Sequence, residues 1–318
     1  MFQIDFINVG YGDSILMQFD GEYGHAFRVL IDCGDFHTER NSPESCRISA
    51  ADFLMKNRIE EIDLLILSHL HLDHVGGLQE IAGKIRVKEL LSNYLPPEEY
   101  WGHHVKINSG FCPGSQNLQH ALDILSESLP ILSADGCKIR EIRNPERIMI
   151  PKQDSEMDIT LSDKPIYDLQ KEIFDKACDG TASDTDLHRL DLFINNTSLR
   201  VYVRIGNKAL MLPGDVYAAE WNNYEIPVCN FLKVPHHGHS DGLREEILQK
   251  ARPEYVVISV SDDREDNCPS MEINNLIRKK GAHLFFTDAV KEPDRKPKYH
   301  ESVRFMIRAD QIESAHEN

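Results

Sequence analysis

The chain has 318 residues, 41% of them hydrophobic and 27% charged, with a formal net charge of -17. This composition fits a soluble α/β chain that buries a sizeable core. Its acidity argues against a passive nucleic-acid coat or a binder of anionic membranes, but leaves open an enzyme that holds phosphates through metal ions or a local basic patch.

Phe2 to Val9 alternates as a strand, Ser14 to Phe19 continues beyond Gly10-Tyr11-Gly12-Asp13, and Ala26 to Ile31 returns after the Gly21-Glu22-Tyr23-Gly24 turn. The third strand stops at Asp32-Cys33-Gly34-Asp35, and a helix is expected over Ser49 to Asn57. Ile62 to Leu67 reads as a buried strand that runs into His69-Leu70-His71-Leu72-Asp73-His74-Val75-Gly76-Gly77, with a helix beginning at Leu78. Three imidazoles and a carboxylate thus occupy one strand-to-helix corner, the donor set that zinc and similar divalent ions prefer. Gly76 and Gly77 let the backbone turn closely beneath a bound ion. A lone histidine here would be a cap or a solvent-facing residue; four donors in six positions favour a metal site.

From Tyr94 to Leu190 the pattern weakens. A long loop carries Tyr100, Trp101, His103, His104 and Phe111-Cys112-Pro113-Gly114, and these histidines read as loop residues rather than ligands. Helices are expected over Asn117 to Leu129 and Ile166 to Ala177, with a polar connector over Asp179 to Asp186. Arg140, Arg143 and Arg147 are candidates for a phosphate-holding patch, although a solvated charged face is the simpler account. At Thr197 the chain begins what reads as a second copy of its opening: a hairpin across Gly206-Asn207 ending in Pro213-Gly214-Asp215, then a buried strand, Asn230 to Pro235. His236-His237-Gly238-His239 follows, then a helix over Arg244 to Lys250. Strands over Tyr255 to Val260, His283 to Thr287 and Ser302 to Ile307, and a helix over Met271 to Lys280, complete the pattern. Two such halves facing each other would bring their ligand-bearing corners together. The seven cysteines (33, 46, 112, 137, 178, 229 and 268) are scattered and contain no C-x-x-C pair, which points to free thiols in a reducing compartment. With no leader-like pattern and no run of membrane-spanning length, the expected address is the cytoplasm, without a membrane partner.

This combination resembles the metallo-β-lactamase superfamily. The resemblance implies an α/β fold of the αββα type, two mixed sheets flanked by helices, in one domain over residues 1–318. Residues 1–93 and 191–318 would be its halves, and 94–190 an inserted loop and helix region. His69, His71, Asp73 and His74 match the H-x-H-x-D-H signature, Asp32 the early supporting aspartate, and Asp215 the carboxylate between two metals. Val9-Gly10-Tyr11-Gly12-Asp13-Ser14 looks like the V-G-Q-G-D-[AS] opening of the nuclease-like domain of competence DNA-internalisation proteins. Asn195-Asn196-Thr197-Ser198-Leu199 looks like that branch's N-x-x-S-L, and Leu232 to Gly238 like its L-K-V-P-H-H-G. Two departures stand out. Asn195 and Asn196 occupy the place where the superfamily commonly has a third histidine for its first metal, with His188 nearby as a substitute. Cys268, in Asn267-Cys268-Pro269-Ser270-Met271-Glu272, replaces the histidine of a G-H-P-x-x-E element.

The resemblance implies two divalent ions, zinc or manganese, with His69 and His71 on one and Asp73 and His74 on the other. Asp215 would lie between them, and either His236 or His237 would complete the second ion. The first ion, short of an imidazole, would bind more weakly. Two cations about 3.5–4 Å apart generate a hydroxide nucleophile near neutral pH. The implied catalytic residues are Asp73, His237 and His239, the last two as candidates for protonating a leaving alkoxide. Asp32 would orient a ligand histidine, while Asp13, Asn195 and Cys268 would support the site or face the substrate. The expected activity is metal-dependent hydrolysis of phosphodiesters, in nucleic acid or nucleotides. The alternatives are hydrolysis of a small ester, thioester or lactone, and a degenerate metal-binding sensing module.

Overall fold

The computed structural model describes residues 1–21, 25–36, 44–105, 112–151, 155–262, 268–290, 298–308 and 311–317. The tip of the expected turn at residues 22–24, Phe111 and Asn267 lie outside them.

The opening alternation forms β1 (Phe2–Ile7), β2 (Ile15–Phe19) and β3 (Phe27–Ile31), antiparallel in that order. Helix α1 (Ala50–Lys56) begins where the Ser49 hydroxyl accepts the Asp52 backbone N–H. The expected buried strand is divided into β4 (Glu61–Ile62) and the fully buried β5 (Leu64–Leu67), which runs parallel to β3. A single turn, α2 (Leu72–Val75), carries the histidine corner into α3 (Leu78–Lys84). Next come β6 (Arg86–Val87), paired with β4, and β7 (Glu89–Ser92), parallel to β5.

The middle stretch supplies α4 (Pro113–Ala134), β8 (Lys138–Glu141), β9 (Glu146–Met149), β10 (Ser155–Thr160), α5 (Lys164–Asp179) and α6 (Asp184–Asp191). The three strands correct the expectation of loop and helix alone. β8 extends the first sheet beside β7, and β9 and β10 belong to the second. None of β8 is fully buried and β9 alternates between half-buried and exposed, so charged residues interrupt the apolar period by which strands are read. Beyond them lie β11 (Arg200–Ile205), β12 (Lys208–Leu212), β13 (Phe231–Lys233), α7 (Glu245–Ala251), β14 (Tyr255–Ile258), α8 (Met271–Lys279), β15 (His283–Phe286), β16 (Ser302–Arg308) and β17 (Gln311–Glu317).

One sheet has the order β17-β16-β1-β2-β3-β5-β7-β8 and the other β15-β14-β13-β12-β11-β10-β9. In each, three antiparallel strands (β1 to β3, and β10 to β12) are followed by three parallel ones (β5, β7 and β8, and β13 to β15). The second copy therefore starts at β10, earlier than the expected Thr197. Phe6, Ile66, Leu91, Val201, Leu210, Phe231 and Phe305 share the core between the sheets. Phe53, Ile81, Leu122, Leu125 and Phe174 cover the outer face of the first sheet with helices, and Leu248, Ile273 and Ile277 cover that of the second. The result is the expected helix–sheet–sheet–helix layering. The β1–β2 turn and the loops that follow β3, β5, β12 and β13 meet at one end of the sandwich, at the carboxyl ends of parallel strands where open sheets leave a crevice. Among the described residues, no helix is long and apolar enough to cross a membrane.

Candidate metal centre

The centre is assembled from strand ends that bind one another through side chains. Asp32, directly after β3, accepts the Ser68 backbone N–H at 2.7 Å on Oδ1 and the Ser68 hydroxyl at 2.6 Å on Oδ2. The same Oδ2 lies 2.8 Å from His74 Nδ1. His69 Nδ1 lies 3.1 Å from the Ser68 hydroxyl, and His237 Nδ1 lies 3.2 Å from the Ser259 carbonyl, which fixes the proton of that ring on Nδ1. With each Nδ1 engaged, the Nε2 atoms are the nitrogens left to face the pocket. His74 Nε2 is 3.2 Å from Asp215 Oδ2, and His237 Nε2 is 3.1 Å from Asp215 Oδ2 and 3.2 Å from Asp73 Oδ2. Three non-glycine residues here sit in the left-handed region: Asp32 (φ 60°), His236 (φ 50°) and His237 (φ 51°). Such backbone persists only where surrounding contacts over-determine it.

The turn between β1 and β2 packs directly on the corner. A Cβ at Gly12, whose φ is +110°, would meet the Asp73 carbonyl oxygen at 1.9 Å. Gly76 and Gly77 owe their places to close approach rather than to an unusual turn, since a Cβ at either would strike the backbone of residues 33–36. Asp13 from that turn reaches Lys233, a fully buried ammonium that also donates to Asp215 Oδ1 at 2.9 Å and to the Gly214 carbonyl at 3.2 Å. Burial disfavours the charge on Lys233, but Asp13 and Asp215 outweigh it and hold the group protonated. Asp215 Oδ1 is thus committed to Lys233 and to the His236 N–H, at 3.1 Å, and Oδ2 is the oxygen that faces the ring nitrogens.

Burial likewise opposes protonation of His237, yet the Asp215 carboxylate, helped by Asp73, lifts its pKa to about 8. His74 is held well above the usual imidazole range against its own burial by Asp215, Asp32 and Asp73. Burial and the neighbouring His74 and His71 rings keep His69 neutral. Since the folded-state value of His237 lies above the ordinary ~6.5, its contribution to stability is fully present below ~6.5 and is lost as pH rises through about 8. Chelator-treated protein is therefore expected to lose stability over that window and to release protons on metal uptake at neutral pH. Calorimetry in buffers of different ionisation enthalpy checks this, and uptake without proton release would contradict it.

The structure gathers Asp73, His74, Asp215 and His237, with one donor atom from each, within 4.8 Å of one another. His69 and His71 adjoin this cluster: the His69 ring lies 4.1 Å from that of His74 and 5.0 Å from that of His71. His237 joins it and His236 does not. His236 Nδ1 is 2.7 Å from Asp241, and its Nε2 is 3.3 Å from Asn195 Nδ2. His239 also turns to Asp241, at 3.3 Å, outside the cluster. Asn195 further donates to the Tyr217 hydroxyl at 3.1 Å, so it braces the loop after β12. Cys268 directs its thiol to the His237 carbonyl at 2.9 Å, supporting the strained dipeptide from behind. His188 lies 3.7 Å from the Cys112 sulfur and is exposed. His71 Nε2 instead has Asp191 Oδ1 at 3.8 Å, a neighbour the sequence did not point to. Lys233 lay within the L-K-V-P-H-H-G match, but its role was hidden because its partners come from distant turns.

These donors fit divalent cations. Carboxylates and imidazole Nε2 atoms converge, each ring is oriented by a partner on its far nitrogen, and His69 Nε2 is buried with no hydrogen-bond partner. A buried ring nitrogen left in that state is costly unless a cation or water meets it.

Residues 7–107 match the profile of the metallo-beta-lactamase superfamily. Over 298 residues the chain is 22% identical to ComE operon protein 3 of Bacillus subtilis (strain 168), covering 90% of this chain and 32% of that protein. Over 132 residues it is 29% identical to the anti-Pycsar protein Apyc1 of Paenibacillus sp. (strain J14), covering 39% of this chain and 49% of that protein. The matched stretches thus span about a third and about half of these curated relatives. Among solved structures, a variant of CmlA β-hydroxylase shares the fold with a TM-score of 0.50 and 13% identity, over 96% of this chain and 54% of that one.

Proposed function

We propose, from the premise that this chain carries a metallo-β-lactamase superfamily domain, that it is a metal-dependent hydrolase of phosphodiesters in small nucleotides. The observation that carries the reading is the convergence of Asp73, His74, Asp215 and His237 beside the unpartnered Nε2 of His69. Two ions held there, by these residues and His71, would activate water and neutralise phosphate oxygens. Asp32 holds His74 in the ligating orientation, and Lys233 with Asp13 fixes the carboxylate of Asp215 so that Oδ2 faces the pocket. Asp241 Oδ1 lies 2.7 Å from His236 Nδ1 and 3.3 Å from His239 Nδ1, and the part-exposed His239 ring, outside the cluster, is the candidate to protonate a leaving alkoxide.

The phosphodiester assignment is supported by the matches at Val9 to Ser14, Asn195 to Leu199 and Leu232 to Gly238 to the competence nuclease branch. The preference for small substrates is supported by charge. The chain carries -17 overall, and the candidate basic patch is neutralised: Arg140 pairs with Glu89 and Glu146, Arg143 with Glu141, and Arg147 with Asp158 and Glu156. A long polyanion would meet repulsion over most of the surface.

After chelation and reconstitution with manganese or zinc, the protein is to be offered bis-p-nitrophenyl phosphate, cyclic dinucleotides, single-stranded DNA, RNA, a lactone and a thioester. The expected result is cleavage of the phosphodiesters, faster on the small ones and faster with manganese. Turnover of the lactone or thioester alone would transfer the assignment to a carbonyl hydrolase. Tight metal binding with no turnover would favour the sensing module.

A further inference from the structure

We infer that Asp191 is the third protein ligand of the ion held by His69 and His71, standing in for the histidine that the chain lacks before β11. The inference rests on the metal-centre reading above and names a residue that reading does not supply. Two donors bound to one ion, each at about 2.0–2.2 Å, sit about 3–4 Å apart. Asp191 Oδ1 and His71 Nε2 are separated by 3.8 Å. The His69 ring, whose buried Nε2 has no partner, lies beside that of His71, with centroids 5.0 Å apart. Two imidazoles and a carboxylate, brought from two different parts of the fold, therefore adjoin in series, Asp191 against His71 and His71 against His69.

The placement of Asp191 is built rather than incidental. It is the last residue of α6, which leads directly through Leu192 and Phe193 into the turn carrying Asn195. A carboxylate at a helix C-terminus opposes the helix dipole, so the helix itself gains nothing from it there. Its second oxygen occupies space that only a glycine leaves open: a Cβ at Gly114, in the first turn of α4, would lie 2.1 Å from Asp191 Oδ2. Gly114 thus seats the carboxylate with its other oxygen directed towards His71. His188, one turn earlier on α6, faces Cys112 and takes no part. A site of two imidazoles and one carboxylate is richer in oxygen than one of three imidazoles, and that moves its preference from zinc towards harder ions such as manganese.

The test is calorimetric titration of manganese, and separately of zinc, into chelated full-length protein, with folding verified by urea denaturation. Wild type is expected to take up two manganese ions. Asp191→Ala and Asp191→Asn should keep the ion at Asp73, His74 and His237 and weaken the other by about a hundredfold, the upper end of losses seen when only an outer partner is removed. Gly114→Ala, which keeps the carboxylate but displaces it, should weaken the same ion, and Asp191→His should restore it with zinc favoured over manganese. Asp191 variants that titrate like wild type, while Asp73→Ala loses an ion, would overturn the inference and leave the metal centre standing. A wild type that takes up no ion would remove the metal reading itself.

Discussion

Asp215→Ala should abolish turnover and strip metal from both positions. Its Oδ2 lies 3.1–3.2 Å from the Nε2 atoms of His74 and His237, so any cation they share must sit against this oxygen. Removing only an outer partner of a metal ligand already costs about 10–100-fold in affinity or activity. Loss of a carboxylate that serves two ions should cost at least about 10³. The sequence suggests that such a variant keeps a cooperative fold, because no core packing is lost; the structure adds a cost in stability. Lys233 loses one of its two buried counter-charges, so the chelated variant should unfold at lower urea while remaining cooperative, with Asp13 as the remaining partner. Asp215→Asn, which keeps the shape, separates the loss of charge from the loss of packing. Wild-type activity and metal content in either variant would end the assignment of Asp215.

Lys233→Met is expected to destabilise the metal-free protein by about 3–5 kcal/mol, the range for removing one partner of a buried ion pair. Methionine fills the space of the lysine stem, but Asp13 and Asp215 then remain buried, close to each other and without the ammonium that balances them. Manganese should restore part of the loss, because a cation bound to Asp215 supplies the missing positive charge and stabilises the folded state by mass action. Urea denaturation with and without the ion measures both effects. An unchanged midpoint would mean that the two carboxylates are not buried as charges.

The histidine corner was legible because metal coordination needs particular side chains at close spacing, and no ordinary helix or strand requires His69, His71, Asp73 and His74 together. Asp32 and Asp215 were singled out by the resemblance of their motifs, and the structure places both beside that corner. The choice between His236 and His237 was not legible. Adjacent residues differ only in the direction of their side chains, and here two successive left-handed conformations decide it. β8 and β9 were hidden for a related reason: half-exposed strands carry charged residues where a buried strand would carry apolar ones. Asp191 left no signal and Lys233 only its place in the L-K-V-P-H-H-G match, because the role of each comes from a partner that the fold brings from another segment, His71 for one and Asp13 for the other.

Anomalous diffraction at the manganese edge, from crystals of chelated and reconstituted protein, tests the central claim most directly. The account predicts two peaks, one among Asp73, His74, Asp215 and His237 and a weaker one among His69, His71 and Asp191. No peak at the first position, or manganese only at the separate His236, His239 and Asp241 group, would contradict it.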